Sequence, residues 1–269
     1  MVILQDEGLY AVERAGAMQI IGELLHPSYR PQTLLLFQQR NVEQCAELIL
    51  EQQGNGATML CLGIPSAQDI LGHNSAEFLS WLLSVYAEYA TVPAYLDVES
   101  PKVLASILPR LSQSPVVLCR SKQRDARANL LCVAAEHEVL VVLCDVTITD
   151  RNAQARVDSM SILVEEAQRA GVAAECLAVE APVYQSLYTP LLLQEALTTI
   201  DLLHRQLGLP VLVRVSQAAK YRLLHSWNSA FYAAAAMAYG AEFVLLNPAH
   251  REVMGIVLAG REMLEGVGE

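Results

Sequence analysis

Short runs of apolar, often β-branched residues alternate along the chain with longer stretches whose apolar positions recur at helical spacing. The short runs predict eight strands, at Met18–Glu23, Thr58–Leu62, Ala94–Asp97, Val116–Cys119, Val139–Asp145, Glu175–Val179, Val211–Val215 and Glu242–Asn247. The longer stretches predict eight helices, at Asn41–Gln53, Ser75–Ala90, Pro101–Leu111, Gln123–His137, Ala153–Ala170, Pro190–Leu207, Asn228–Gly240 and Pro248–Leu264. Eight strand–helix cycles predict an α/β fold with a parallel sheet closed into a (β/α)8 TIM barrel.

Local signals support several of these helices. Ser100 stands at an N-cap position, and Pro101 follows at the first helical position. The helix predicted at Ala153–Ala170 ends before Gly171, as helices commonly do. The alternative architecture is an open doubly wound sheet, which would need a glycine-rich phosphate loop after its first strand. The segment GELLHPSYRP at that point is not such a loop, so the barrel is the preferred interpretation.

The chain shows no linker rich in serine, glycine or proline, so we predict a single domain over residues 1–269. A domain of this length is usual for an α/β barrel. Residues 1–17 precede the first predicted strand, and we interpret them as an N-terminal extension that covers the bottom of the barrel.

Composition and charge exclude several classes of protein. Hydrophobic residues make up 53% of the chain and charged residues 17%, the reverse of a disordered composition. The formal charge of −11 would repel a phosphate backbone, so we expect no nucleic-acid partner. Mean hydropathy is positive at +0.30, but Gly240 and Glu242 interrupt the richest apolar stretch, and we expect no membrane span. With no signal peptide at the start of the sequence, we predict a cytoplasmic protein.

Six cysteines occur without a CxxC pair, so neither a zinc ribbon nor a thioredoxin-like motif is present, and reduced thiols are expected in the cytosol. Three of them, Cys61, Cys119 and Cys144, lie at or near strand ends, and His26 follows a fourth strand. Such residues could in principle bind zinc. Their apolar contexts favour small buried hydrophobes instead, so we predict no metal.

Active sites of TIM barrels lie at the carboxyl ends of the strands, so polar residues at those ends are the candidates. They are Glu23, His26, Cys61, Asp97, Cys119, Arg120, Asp145, Glu180, Arg214, Gln217 and Asn247. Asp97 is the strongest candidate, because a strand leads into it and a capped helix follows at once. The alternative is that Asp97 only caps the turn beside Ser100.

The other charged candidates each have an equally simple structural explanation. Glu180 could be a solvated loop acid, and Asp145 could form an Asx turn. Arg120, with Lys122 and Arg124, brings positive charge near the mouth and could attract a carboxylate or phosphate. A solvated loop explains this positive charge as well.

Three segments resemble one known family. MQIIGELLHP resembles the opening strand of methyltetrahydrofolate–corrinoid methyltransferases, and VPAYLDVESPKVLASIL resembles a strand-Asp-turn-helix segment that they share with dihydropteroate synthase. VLVRVSQ followed by NSAFYAAAAMAYG is similar to their late strand and helix. The resemblance covers most of the chain and implies a pterin-binding TIM barrel like that of dihydropteroate synthase.

The resemblance implies transfer of a methyl group from N5 of 5-methyltetrahydrofolate to cobalamin carried by a separate corrinoid protein. It makes Asp97 the anchor of the pterin's amino-pyrimidine edge, since a carboxylate accepts hydrogen bonds from paired N–H groups. The remaining substrate-binding residues would be Glu180, Asp145, Gln217, Arg214, Asn228 and Arg120. Members of the family are commonly homodimers, so we expect a homodimer here.

The sequence departs from the family at several pocket positions, where family amides and acids are replaced by His26, Cys61, Gly63, Cys119 and Arg214. Each buried hydrogen bond lost would weaken pterin binding by about 1–3 kcal/mol. The charge of Arg214 would oppose protonation of N5, and no residue stands out as the acid. Two alternatives therefore stay open: a catalytically silent or ligand-shifted homologue acting as a binding or regulatory subunit, or a different barrel enzyme acting on an anion through Arg120 and Arg214.

Overall fold

A computed structural model describes residues 18–63, 75–148, 152–181, 189–218 and 224–265. The N-terminal extension predicted at residues 1–17 lies outside the described residues. Within them, no helix is long and apolar enough to cross a membrane.

Eight parallel strands form a closed barrel in sequence order, with the last strand paired to the first. They are β1 Gln19–Gly22, β2 Met59–Gly63, β3 Ala94–Asp97, β4 Val116–Cys119, β5 Leu140–Leu143, β6 Leu177–Glu180, β7 Val211–Arg214 and β8 Ala241–Leu246. The predicted (β/α)8 barrel is confirmed, and each predicted strand end lies within two residues of the observed one.

Helices follow the strands around the outside of the barrel. They are α1 Pro31–Gln38, α2 Val42–Gly54, α3 Ser75–Tyr89, α4 Pro101–Ile107, α5 Arg124–Glu136, α6 Ala153–Arg169, α7 Pro190–Leu202, α8 Val215–Ala218, α9 His225–Ala238 and α10 Arg251–Glu265. A 3-10 turn at Leu108–Arg110 extends α4, and a π-helical turn at Leu203–Leu207 extends α7. The eight predicted helices are present, and α1 and α8 are additional.

The strands are buried on both faces, which explains the high apolar content of the sequence. One face fills the barrel interior with Ile21, Met59, Cys61, Tyr95, Val116, Leu118, Leu140, Val142, Ala178, Leu212, Phe243 and Leu245. The other face packs against the helices in a second, larger core. The small residues Ala230, Ala233 and Ala236 of α9 are buried on the inner side of that helix. They therefore contribute to core packing.

Caps and prolines define where several helices begin. The Ser100 hydroxyl accepts a hydrogen bond from the Val103 N–H at 3.4 Å, with Pro101 at the first helical position. Beyond α6, Gly171 has a left-handed φ of +97°, and its N–H donates to the Gln168 carbonyl. Both predicted helix signals are confirmed.

Candidate functional site

The barrel mouth collects charged side chains from four strand ends. Asp97 is the last residue of β3, Glu180 of β6 and Arg214 of β7, while Arg120 directly follows β4. Asp97, Glu180 and Arg214 are buried, and Arg120 is half-buried. Buried charges need partners, because the removal of a charge from water carries a large free-energy cost. The partners of these four groups therefore define what the mouth can bind.

Asp97 contacts two side chains of the protein, one through each carboxylate oxygen. His26 Nε2 lies 3.1 Å from Asp97 Oδ2, and Arg120 Nε lies 2.9 Å from Asp97 Oδ1. The second contact is an ion pair without hydrogen-bond geometry. Within the described part of the chain, neither Asp97 Oδ1 nor Arg120 Nε has a hydrogen-bond partner. Arg120 also faces Glu99, with Nη2 3.6 Å from Oε1.

The hydrogen bonds of His26 define which ring nitrogen carries the proton. The backbone N–H of Ser28 donates to His26 Nδ1 at 3.1 Å, so Nδ1 acts as an acceptor and is unprotonated. Nε2 then carries the proton and donates it to Asp97 Oδ2. His26 is therefore a neutral donor locked onto one oxygen of the aspartate.

Gly63, the last residue of β2, makes room for this imidazole. A Cβ atom at Gly63 would overlap Cδ2, Cγ and Nε2 of His26. The backbone of Gly63 is not in the left-handed region, so the space around it, and not its φ angle, requires glycine. The position of the His26 ring thus depends on the absence of a side chain at Gly63.

Glu180 and Arg214 form a bidentate ion pair across β6 and β7. Arg214 Nε and Nη2 donate to Glu180 Oε1 and Oε2, each at 2.7 Å, and Nη1 donates to the Tyr29 hydroxyl oxygen. Burial raises the pKa of the Glu180 carboxyl and lowers the pKa of the Arg214 guanidinium. The two short hydrogen bonds favour the charged forms and oppose both shifts. Arg214 is therefore charge-compensated inside the mouth.

Tyr29 lies between the Asp97 pair and the Glu180 pair, because it contacts both His26 and Arg214. This residue was not predicted from the sequence. Its ring packs edge-on against His26, with ring centroids 4.8 Å apart, while its oxygen accepts from Arg214. Tyr29 follows β1 by seven residues, so it lies beyond the strand-end positions where active-site residues of TIM barrels are expected. The available signal was its position three residues after His26 in the same loop.

Asp145 is held by its own loop and by α6. Its Oδ1 accepts from the N–H and hydroxyl of Thr147 and from the Ile148 N–H, and its Oδ2 accepts from the Ser159 hydroxyl. Burial raises the pKa of Asp145, but these hydrogen bonds outweigh burial and bring the pKa below its usual value. The Asx-turn interpretation is confirmed, and substrate binding by Asp145 stays a prediction.

Gln217 and Asn228 lie further along the chain, in α8 and α9. Gln217 is half-buried, and Asn228 is exposed in the first turn of its helix. Among the residues that the structure describes, no hydrogen bond or ion pair joins either side chain to Asp97 or Glu180. Their roles in substrate binding stay predictions.

The cysteines near the mouth are protonated thiols. Burial raises the pKa of Cys61, Cys119 and Cys144 well above the usual value, and the negative charge of Glu180 raises the pKa of Cys144 further. Over the described ranges, no group of three or more His, Cys, Asp or Glu side chains could hold a metal ion. The zinc interpretation with His26 therefore gains no support from the described residues.

A separate cleft of about 670 Å³ opens between the first turns of α9 and α10. It is lined by Leu224, His225, Ser226, Trp227, Ala249, His250, Arg251 and Glu252. The rings of His225 and His250 meet edge-on at 5.7 Å, and burial, followed by the charge of His225, lowers the pKa of His250. The sequence pattern gave no signal for this cleft.

No protein-family model matches the sequence, and no curated protein matches it. Many solved structures share its fold, and three of them match it over nearly the whole chain. Mycobacterium tuberculosis Rv1207 is 15% identical with a TM-score of 0.65, over 94% of this chain and 95% of that one. Xanthomonas albilineans dihydropteroate synthase with 4-aminobenzoic acid is 17% identical with a TM-score of 0.69, over 94% and 95%. Stenotrophomonas maltophilia dihydropteroate synthase with active site-bound imidazole is 17% identical with a TM-score of 0.66, over 95% and 96%. The chain thus has the TIM-barrel fold of dihydropteroate synthase.

Proposed function

We propose that the barrel mouth binds the pterin ring of a folate, with Asp97 as its anchor. The observation that carries the proposal is the pair of buried polar atoms Asp97 Oδ1 and Arg120 Nε, which lie side by side without hydrogen-bond partners among the described residues. Buried polar atoms are nearly always satisfied, so such a pair is the place where a polar ring edge would bind. The fold shared with dihydropteroate synthase supports a pterin as that ring.

We further propose the reaction that the family resemblance implies: transfer of the methyl group of 5-methyltetrahydrofolate to cobalamin on a partner corrinoid protein. The ion pair with Glu180 weakens the objection that Arg214 brings a bare positive charge to the site. Tyr29 is the acid in this reaction, a role for which no residue stood out in the sequence. Because Arg214 donates to its oxygen, the Tyr29 O–H can itself donate to the amine that loses the methyl group.

Calorimetric titration with 5-methyltetrahydrofolate tests the binding step. We expect micromolar affinity in the wild type and its loss in Asp97→Asn. The matched control is Asp158→Asn, the same change at an exposed carboxylate on α6. Absence of binding at millimolar ligand, or equal binding by both variants, would contradict the proposal.

Methyl transfer itself is measured by the absorbance change when cob(I)alamin becomes methylcobalamin in the presence of the protein and 5-methyltetrahydrofolate. We expect transfer in the wild type and a strongly reduced rate with unchanged binding in Tyr29→Phe, which removes only the hydroxyl. Retention of the full rate by Tyr29→Phe would rule out the proton-donor role.

A second candidate is a catalytically silent or ligand-shifted homologue that acts as a binding or regulatory subunit. The observation that favours it is the closed Glu180–Arg214 pair, in which both carboxylate oxygens are already occupied. In this case 5-methyltetrahydrofolate or a related pterin would bind, Asp97→Asn would abolish binding, and no methylcobalamin would form.

We also propose that two copies of the chain associate through α9. Leu224, Trp227 and Phe231 recur at helical spacing there, and they are 63%, 59% and 63% exposed. Aromatic residues are enriched at the centres of protein interfaces. Sedimentation velocity should show a dimer that Phe231→Ser dissociates, whereas Ile162→Ser, a control at an apolar residue exposed on α6, leaves it intact. A monomeric wild type would contradict this proposal.

A cytoplasmic location completes the proposal. All six cysteines are free in the structure, as expected of a protein from a reducing compartment. Fractionation of the source cells would test this location. Recovery of the protein in the exported fraction would contradict it.

A further inference from the structure

The loop that follows β1 is attached to two helices at Leu24. The preceding residue still bonds to the sheet, since the Glu23 N–H donates to the Leu246 carbonyl of β8 at 3.1 Å. Side chains bind both backbone groups of Leu24: its N–H donates to Gln52 Oε1 at 2.9 Å, and its carbonyl accepts from the Thr33 hydroxyl at 2.8 Å. Gln52 belongs to α2 and Thr33 to α1, and both are buried. Two helices outside the barrel therefore hold the point where the loop leaves the sheet.

Gln52 is closely fitted to this contact. Its side-chain N–H donates to the Leu48 carbonyl, one turn earlier in α2, at 3.1 Å, so the amide is oriented with its oxygen towards Leu24. A Cβ atom at Gly22, the last residue of β1, would lie 2.5 Å from Gln52 Oε1. The Gln52 side chain is fully buried, and a buried amide is costly unless it is hydrogen-bonded. Both polar atoms of this amide bond to backbone, and one of these bonds connects α2 to the loop.

The same loop brings two side chains to the ion pairs of the mouth. His26, two residues after Leu24, donates to Asp97 Oδ2 at 3.1 Å, and the Tyr29 hydroxyl accepts from Arg214. Inside the loop, the Tyr29 N–H donates to the His26 carbonyl at 3.0 Å, so a displacement of one residue would carry the other with it. A further separation of about 0.5 Å would take the His26 contact outside hydrogen-bond range. Both contacts therefore depend on where Leu24 is held.

We propose that Gln52 and Thr33 are positioning residues of the mouth, which act through the backbone of Leu24. They hold the loop so that His26 stays beside the anchor carboxylate and the Tyr29 hydroxyl stays on the guanidinium of the second ion pair. The consequence for ligand binding rests on the proposed function, which places the pterin at that carboxylate. The positioning itself can be measured without a ligand.

The first test observes the His26 hydrogen bond directly. An imidazole N–H that donates to a buried carboxylate exchanges slowly with water, so it gives its own signal in a proton–nitrogen correlation spectrum of the isotope-labelled full chain. Loss of one such signal in His26→Ala assigns it. Gln52→Met keeps the length of the side chain and removes the amide. We expect it to abolish the His26 signal, because the displaced loop opens the proton to exchange.

The matched control is Gln53→Met, the same change at the next residue of α2. The Gln53 side chain also bonds to backbone, since it donates to the Tyr89 carbonyl at 3.2 Å and accepts from the Thr91 N–H at 2.6 Å. These bonds lie ahead of β3, at the opposite end of that strand from Asp97. We expect Gln53→Met to retain the His26 signal. Its affinity for 5-methyltetrahydrofolate should stay within about twofold of the wild type, whereas Gln52→Met should weaken binding by about tenfold.

Two changes at Thr33 test the same contact from the other helix. Thr33→Val keeps the shape of the side chain and removes the hydroxyl, whereas Thr33→Ser keeps the hydroxyl and removes a methyl group. We expect the valine variant to lose the His26 signal and the serine variant to retain it. A role in core packing alone would give the reverse order. This pair also tests the proposal if Gln52→Met does not fold.

The outcomes separate this inference from the proposed function. Loss of the His26 signal in the two variants that break the Leu24 contacts, with retention in the two controls, supports the inference. If the same pattern appears in a protein that does not bind 5-methyltetrahydrofolate at millimolar concentration, the proposed function is overturned and the positioning role stands. Retention of the signal in Gln52→Met and Thr33→Val, its loss in Gln53→Met as well, or its absence from the wild type overturns the inference and leaves folate binding untouched.

Discussion

Gly63→Ala should disrupt the mouth through a single steric overlap. The added methyl group would occupy the position of the His26 ring, and the ring could move only by breaking its hydrogen bonds to Asp97 and Ser28. Overpacking typically costs about 1–3 kcal/mol, and a hydrogen bond to a charged group contributes about 1.5–3 kcal/mol. We expect the free energy of unfolding to fall by about 2–5 kcal/mol, given that part of each loss is relieved when the ring moves.

A double-mutant cycle with His26→Ala isolates this overlap. Gly63 has no left-handed φ, so in the background without the ring an alanine should be neutral or should stabilise by up to about 1 kcal/mol. Urea unfolding followed by circular dichroism gives the four free energies. The control is Gly54→Ala, where an added Cβ meets nothing within 4 Å. The reasoning is refuted if Gly63→Ala costs the same in both His26 backgrounds, or no more than Gly54→Ala.

Three further changes test the charges and caps of the fold. Arg214→Met leaves the Glu180 carboxylate buried and unpaired, so unfolding free energy should fall by about 3–5 kcal/mol at neutral pH. Burial raises the pKa of Glu180, so the free-energy loss caused by Arg214→Met should grow as the pH rises above the pKa of an ordinary glutamate. Adding Glu180→Gln should remove this pH dependence, which urea titrations at several pH values would measure. Asp145→Asn should cost about 1–3 kcal/mol at neutral pH. The depressed pKa of Asp145 makes its contribution present above the unfolded pKa and lost as pH falls through the folded pKa, so wild type and variant should converge in acid. Asn41→Ala removes the N-cap of α2 and should lower unfolding free energy by about 1 kcal/mol; an unchanged urea midpoint would contradict the cap.

The strands could be predicted because their sequence signal is local. A strand covered on both faces is a short, nearly continuous apolar run, and eight such runs were enough to predict the closed barrel. Helix α1, Pro31–Gln38, was not predicted, although Pro31 stands at its first position. It is only eight residues long, and its apolar residues form one run, Leu34–Phe37, with no helical period to recognise.

Only the site residues that lie at the ends of strands could be predicted from the sequence. Asp97, Glu180 and Arg214 are strand-end residues, so their place at the mouth could be predicted, whereas the ion pair between Glu180 and Arg214 was not predicted. The sequence could not show that His26 excludes any side chain at position 63, because this depends on the ring's position in space. It also could not show Tyr29, whose role depends on the path of the loop after β1.

The two ion pairs of the mouth follow one rule and differ in one respect that decides which can bind a ligand. In each pair, the acid is the last residue of one strand and the arginine lies at the end of the next strand along the chain. The pairs are Asp97 with Arg120, and Glu180 with Arg214. The Glu180 pair is buried and bidentate, and breaking it would leave two uncompensated charges, at a cost that few ligands could offset. The Asp97 pair has a single contact, incomplete hydrogen bonding and a partly exposed arginine. A ligand could therefore add hydrogen bonds to the Asp97 pair, whereas it could bind at the Glu180 pair only by breaking it. For the proposed function, we therefore expect the ligand on the β3–β4 side of the mouth.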